Sequence, residues 1–292
     1  MKIAYVILHY MAGKDTIECA ESILATTSKS KHETILVIVD NGSTNKSYEE
    51  IQGTFKDNSK VVVLHSDKNV GFARGNNIGF RYAKIQFQAD FIVQLNNDTI
   101  ISQYDFNEIL VKKFEEKRYF VLGPDILTAD GYHQNPGSKQ SWSLKELRFY
   151  RIKKRIRIVL SYLHMDAMTS HVIAHVKRVY RSELLKEDVE NTILHGACLI
   201  FSKLYINKFD GMCDETFLYW EEDILKLYAD FYGFLMLYSN ELSIYHKEDV
   251  ATNMVETSID EKVRHKYKHL IQSSKVYSRL KKKILDKKKG YL

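Results

Sequence analysis

The sequence is poor in the residues that mark the non-globular classes. Its three cysteines, Cys19, Cys198 and Cys213, are too few and too scattered for a disulfide framework or a zinc cluster. They read as buried thiols in a reducing compartment. Two prolines and 13 glycines in 292 residues exclude collagen-like and low-complexity chains. No apolar run approaches the ~18 residues that a membrane span needs. The opening MKIAYVILHY has no small-residue cleavage site after it and reads as a strand, not a signal peptide, so the expected location is inside the cell. What is present is an ordinary soluble composition, 45% hydrophobic and 27% charged, with chain enough for one large domain or a domain with an appendage.

The net charge of +6 is modest but uneven. Between Lys145 and Arg157 seven basic residues stand against Glu146 alone, and between Lys275 and Lys289 eight stand against Asp286 alone. Such blocks suit an anionic membrane surface, nucleic acid, or simply a solvated helix face. No recognised nucleic-acid module accompanies them, so no nucleic-acid partner is expected.

Short apolar, β-branched runs at 2–8, 34–39, 60–64 and 90–95 have the continuity of strands buried on both faces. Helical patterns at 15–26, 46–55 and 72–87 separate them. That alternation predicts an α/β fold, a doubly wound and mostly parallel sheet. Beyond Asp98 the pattern loosens. A helix is expected over 105–117 and a strand over 119–122, then an irregular stretch holding both prolines, and a basic helical region over 144–186. A strand at 192–201, a helix near 221–232, strands near 234–238 and 242–246, and an amphipathic helical tail complete the reading.

Ligands of open parallel sheets bind beyond the carboxyl ends of the strands. The residues placed there are His9 and Tyr10, then Asp40-Asn41-Gly42-Ser43, then Ser66, Asp67 and Asn69, then Asn96-Asn97-Asp98-Thr99. Each group by itself is also good turn chemistry. Four at one sheet edge make a shared binding role the more economical reading. The stretch NVGFARGNNIGF opens a helix with Gly71, Gly75 and Gly79, but matches neither the dinucleotide fingerprint nor the phosphate-binding loop with its lysine. Arg74 at that helix start suits a diphosphate, while Gly75 and Gly79 suit close packing of helix on sheet.

The ordered series VILHY, VIVDNGSTN, NVGFARGNNIGF and VQLNNDT resembles glycosyltransferase family 2 on a GT-A fold, and within it the rhamnosyltransferase-like enzymes of bacterial surface polysaccharide synthesis. ILHGACLIFSK resembles the acceptor-side strand of that family and ETFLYWEEDILKLYADFYGF its catalytic-base helix. The resemblance covers roughly residues 1–130 and 190–246. It implies a nucleotide-sugar-binding half over 1–130 and an acceptor and catalytic-base half over 131–258, with the helical insertion at about 144–186. A basic C-terminal helical tail follows over 259–292.

It also implies roles. His9, Asp40, Asn69, Arg74, Asn96 and Asn97 would line the nucleotide-sugar donor, Asp40 by accepting a ring N–H of the base. Asn96-Asn97-Asp98 stands where the family has Asp-X-Asp, so Asp98 is the one anionic ligand there for a divalent metal, Mn²⁺ or Mg²⁺. His246 completes that site and, as a nitrogen donor, favours Mn²⁺. Counting back from Gly233 makes Glu222 the catalytic base. Reading Glu222-Asp223 as the family's Glu-Asp pair makes it Asp223. Trp142 and Trp220 suit either sugar stacking or core packing.

The reaction implied is inverting transfer of a sugar from a UDP- or dTDP-sugar to a hydroxyl of a lipid-linked saccharide acceptor, in capsule or O-antigen assembly. The enzyme would sit peripherally on the inner face of the cell membrane. Two other readings compete. One is an inactive, membrane-associated nucleotide-sugar-binding scaffold. The other is a sugar nucleotidyltransferase, which needs a Gly-rich basic loop after the first strand where this chain has HYMAGKD.

Overall fold

The four apolar runs of the first hundred residues are neighbouring strands in a computed structural model that describes residues 1–162, 183–248 and 259–288. In chain order they are β1 (Lys2–His9), α1 (Gly13–Thr27), β2 (Glu33–Asp40), α2 (Ser47–Phe55), β3 (Val61–His65), α3 (Phe72–Tyr82) and β4 (Phe91–Asn96). A single π turn, Ala83–Phe87, carries α3 to the length expected of it. Strands β3, β2, β1 and β4 lie side by side and parallel, in that order. Alternate residues of β1 serve opposite faces, as the period of two requires. Ile3, Tyr5 and Ile7 pack with Cys19, Ile23 and Phe55 of α1 and α2, while Ala4 and Val6 pack with Phe80 of α3. Burial on both faces explains why these strands read as unbroken apolar runs.

The remaining elements are β5 (Thr99–Ile100), α4 (Phe106–Lys117), β6 (Val121–Thr128), α5 (Leu144–Tyr162), β7 (Val189–Glu190), β8 (Cys198–Ser202), α6 (Lys203–Ile206), α7 (Glu221–Tyr232), β9 (Met236–His246) and α8 (Ile259–Lys288). The sheet runs β3-β2-β1-β4-β8-β6-β9-β5, with β7 beside β9. The sheet is largely parallel, as expected, but its second half mixes in antiparallel strands. β8 runs antiparallel to both β4 and β6, and β5 and β7 antiparallel to β9, so the sheet is mixed. Only β6 and β9 add a further parallel pair.

Two local expectations change. The strand predicted over 192–201 begins only at Cys198. Upstream of it the backbone of Ile193 bonds to Gly137 and Ser138, and the His195 N–H to the Asn135 side chain, instead of to a strand. The two strands expected at 234–238 and 242–246 are one, β9, whose register against β6 slips between Pro124 and Asp125. The irregularity turns Glu241 outward to Lys112 and Lys113. The expected amphipathic tail is the helix α8, whose Tyr277 and Leu280 pack with Leu147 of α5 and with Trp220 and Ile224 around α7. Of the predicted insertion over 144–186, residues 163–182 lie outside the described residues, as do 249–258 and 289–292. Among the described residues no helix is long and apolar enough to cross a membrane, and Cys19 and Cys198 are buried free thiols.

Candidate active site

Register brings the first polar row together. His9 pairs with Asp40 across β1 and β2, and Asp40 with His65 across β2 and β3. Asp40 is buried and its carboxylate meets His65 Nδ1 at 2.7 Å and the Ser43 N–H at 3.2 Å. His65 is partly exposed and stacks near Tyr48, with ring centroids 4.6 Å apart. His65 falls between the strand expected at 60–64 and the polar group that opens at Ser66, so the sequence alone does not single it out. The pairing of β3 with the Asp40 row is what would have revealed it.

His9, expected to line the donor, is instead a support. It is fully buried, and both ring nitrogens are taken, by Thr16 Oγ1 at 2.7 Å and Ser47 Oγ at 2.8 Å. Burial pushes its pKa down to about 4, so the ring is neutral and bolts α1 and α2 to the sheet edge. Asn69 Oδ1 accepts from the Asn41 amide and from the Gly71 N–H, which shapes the turn into α3. Arg74 is exposed in the first turn of α3, and its Nε donates to the Asp214 carbonyl at 2.9 Å. The structure therefore keeps Asp40, Asn69 and Arg74 along one rim, with His9 beneath it.

Asn96 closes β4 and borders the cavity described below. Asn97 is buried and donates to Thr16 Oγ1 at 3.0 Å, which ties it to the same hydroxyl that holds His9. Thr99 of β5 pairs with His246 of β9, and this short ladder sets Asp98 Oδ1 3.2 Å from His246 Nε2. The tautomer follows from the neighbours. Gln134 Nε2 donates to Glu248, so Gln134 Oε1 is the atom that faces His246 Nδ1 at 2.7 Å and takes its proton. In the neutral ring Nε2 is then a lone pair aimed at a carboxylate oxygen. Two such electron pairs fit a cation between them, with an amide holding the imidazole from behind as ligating histidines usually require. Among the described residues no cluster of three or more His, Cys, Asp or Glu forms a metal site, so phosphate oxygens and water would have to complete the shell.

A cavity of about 320 Å³ lies beside this pair, bordered by Asn96, His195, Gly196, Trp142, Tyr150, Trp220 and the three acids that open α7. Tyr219 and Trp220 both hold left-handed backbone and turn the chain sharply into α7. The acids diverge from there, as successive helical residues must. Glu221 points inward, is buried and accepts from Thr216 Oγ1 at 2.8 Å. Glu222 Oε1 accepts the Gly196 N–H at 3.0 Å, and a Cβ on Gly196 would stand 2.3 Å from that oxygen, so any side chain there would push the carboxylate from this position. Asp223 accepts the indole N–H of Trp142 at 2.9 Å.

A helix N-terminus normally favours carboxylate charge. Burial outweighs it here: desolvation pushes Glu221 up to about 8 and Asp223 up to about 7, and raises Glu222 as well. His195 Nδ1 accepts from the Ala197 N–H, which leaves the ring proton on Nε2, and burial takes its pKa down to about 4. It is a neutral donor whose ring lies 5.9 Å from that of His246. It falls inside the strand expected over 192–201, so the sequence alone does not single it out. Trp220 is buried in an aromatic group with Trp142, Tyr150 and Tyr277, while Trp142 borders the cavity.

A mixed α/β sheet with its polar residues gathered at one edge, above an acid-lined cavity, is consistent with a GT-A-like domain. The chain belongs to glycosyl transferase family 2, whose model matches residues 5–187. Glycosyltransferase GlyG of Streptococcus pneumoniae serotype 4 (strain ATCC BAA-334 / TIGR4) is 30% identical over 115 residues, 39% of this chain and 36% of that one. The chain thus matches about a third of that relative's length. Among solved structures, S. aureus TarS 1-349 superposes with a TM-score of 0.55 at 15% identity, covering 85% of this chain and 60% of that one. TarS 1-349 in complex with UDP-GlcNAc gives 0.56 at 14% identity, covering 98% and 71%. These likenesses show a shared fold.

Proposed function

We propose that the protein is an inverting glycosyltransferase that moves a sugar, of hexosyl or rhamnosyl type, from a UDP- or dTDP-sugar to a hydroxyl of a saccharide acceptor. The acceptor is lipid-linked and the product enters capsule or O-antigen assembly at the cytoplasmic face of the membrane. The observation that carries this reading is Glu222: a desolvated carboxylate with a raised pKa, held by the Gly196 N–H in a cavity next to the Asp98–His246 pair. The likeness to the glycosyltransferase GlyG supports the class of reaction, and the UDP-GlcNAc complex of TarS supports a nucleotide-sugar donor.

Glu222 takes the proton of the acceptor hydroxyl as its oxygen attacks the anomeric carbon. The bond from that carbon to the diphosphate breaks on the opposite face, which inverts the configuration. Asp223 is the second candidate for the base and otherwise orients Trp142 against the acceptor sugar. Asp40 accepts from the nucleotide base, with His65 fixing its carboxylate. Asp98 and His246 would hold Mn²⁺ or Mg²⁺, which when bound offsets charge on the leaving diphosphate. Arg74 and the N-terminus of α3 add to that field.

Calorimetry with a panel of UDP- and dTDP-sugars in Mn²⁺ tests the reading. Asp98→Asn is expected to lose metal-dependent donor affinity while its melting temperature stays close to wild type. Equal affinity in the variant overturns the metal assignment. Tight binding with no turnover across the whole panel returns the chain to the scaffold reading.

A further inference from the structure

Helix α5 has two contrasting faces. Leu147 is fully buried, Tyr150 meets Trp142 and Trp220, and Lys154 lies over the rings of Tyr150 and Tyr267. On the opposite face Phe149, Ile152, Ile156 and Val159 are 50–59% exposed. Their spacing of three, four and three residues makes one continuous stripe along the helix. Single exposed apolar residues are commonplace, but a stripe of four is not. At 100° per residue, Arg148 and Arg155 fall along one flank of it, Lys153 along the other, and Lys145 at its head. All four are exposed and form no ion pair among the described residues.

We propose that this face of α5 lies in the interface of an anionic lipid bilayer, with the stripe among the upper acyl chains and the flanking cations at the phosphate level. Charge selects this occupant. A second copy would bring two basic faces together, and the phosphate backbone of a nucleic acid offers nothing to four apolar side chains. The inference rests on the functional reading only for what it delivers. Tyr150 borders the catalytic cavity on the other side of the same helix, so the cavity would lie within about one helix diameter, ~10 Å, of the bilayer surface. That distance suits an acceptor anchored by a lipid.

The test floats the full chain with vesicles of phosphatidylcholine containing phosphatidylglycerol, and with pure phosphatidylcholine vesicles, at low and high salt. Wild type is expected to float with the anionic vesicles and to be released by salt. Replacing the stripe (Phe149→Ser, Ile152→Ser, Ile156→Ser) or the flanks (Arg148→Gln, Lys153→Gln, Arg155→Gln) is expected to lower partitioning at least about tenfold. Both variants should keep wild-type affinity for soluble UDP- or dTDP-sugar, which shows that they fold. A Phe149→Trp variant should shift its emission to shorter wavelength on anionic vesicles only. The proposal falls if wild type does not float, or if the serine variant floats as well as wild type. It also falls if light scattering shows that the stripe holds a dimer together. Vesicle binding that persists when no donor turns over would sink the enzymatic reading alone.

Discussion

Glu221 and Glu222 are adjacent acids with opposite prospects. Glu221 is raised to about 8 by burial and by the neighbouring Glu222 charge, so it stays protonated at neutral pH and acts as a hydrogen-bonded core residue. A carboxyl whose folded pKa lies above its unfolded value stabilises fully below the unfolded value and loses that stability as pH rises through the folded one. Glu221→Gln should therefore be active near wild type at neutral pH and should lack the loss of stability that wild type accumulates as pH rises from about 4.5 to about 8. Glu222→Gln should bind donor normally yet lose a hundredfold or more of kcat, the usual order for a general base. Steady-state kinetics and melts from pH 6 to 9 separate the two. If Glu222→Gln is active and Asp223→Asn is not, the base is Asp223.

His9 gives a pH effect of the other sign. Its folded pKa of about 4 lies below the unfolded 6.5, so its contribution is present above 6.5 and disappears as pH falls toward 4. The size is roughly 3 kcal/mol, and the groups facing the ring are Thr16, Ser47 and Asp40. Urea unfolding of His9→Gln is expected to be weaker at pH 7 and to show a shallower slope between pH 6.5 and 4 than wild type.

Among the helices, α3 and α2 make a controlled pair. A helical Gly→Ala change ordinarily stabilises by up to about 1 kcal/mol. At Gly53 in α2 an added Cβ meets nothing within 4 Å, so Gly53→Ala should show that gain. At Gly79 in α3 the same atom would stand 2.4 Å from Val6 Cγ1 and 2.9 Å from Val39 Cγ2. Overpacking costs about 1–3 kcal/mol and outweighs propensity there, so Gly79→Ala should destabilise. Denaturant midpoints of the two variants should move in opposite directions. Reading Gly79 as a packing glycine needed only its place on a helix over a sheet. Telling it from Gly53 needed the distance.

Over the whole molecule, α8 completes the surroundings of α7, the helix that carries the proposed base. Fully buried Tyr277 meets Trp220 with ring centroids 5.3 Å apart, Arg151 of α5 donates to Ser278 at 2.9 Å, and Ser273 to the Leu218 carbonyl at 2.8 Å. Truncating a buried aromatic to alanine typically costs about 3–5 kcal/mol. Tyr277→Ala should lower the melting temperature and, by loosening Trp220 and α7, reduce turnover more than donor affinity. Unchanged kcat would show that the tail supports the fold without supporting the site.

The sequence by itself determined the first hundred residues, because both faces of those strands are buried and their apolar runs admit no other element. It also brought Asp40, Asn69, Asn96, Asn97 and Asp98 to one edge, since parallel strands point their carboxyl ends the same way. Tertiary structure decided the rest. The antiparallel direction of β8 is not encoded in four apolar residues and a serine. The neutrality of His9 comes from burial beneath α1 and α2, whose Thr16 and Ser47 take its ring nitrogens. The bearing of His246 on Asp98 depends on a two-residue ladder and on Gln134, 112 residues away in sequence. The different settings of Glu221, Glu222 and Asp223 depend on Thr216, Gly196 and Trp142. Periodicity records which face of an element is apolar, but hydrogen-bond partners and desolvation belong to the neighbours that the fold supplies.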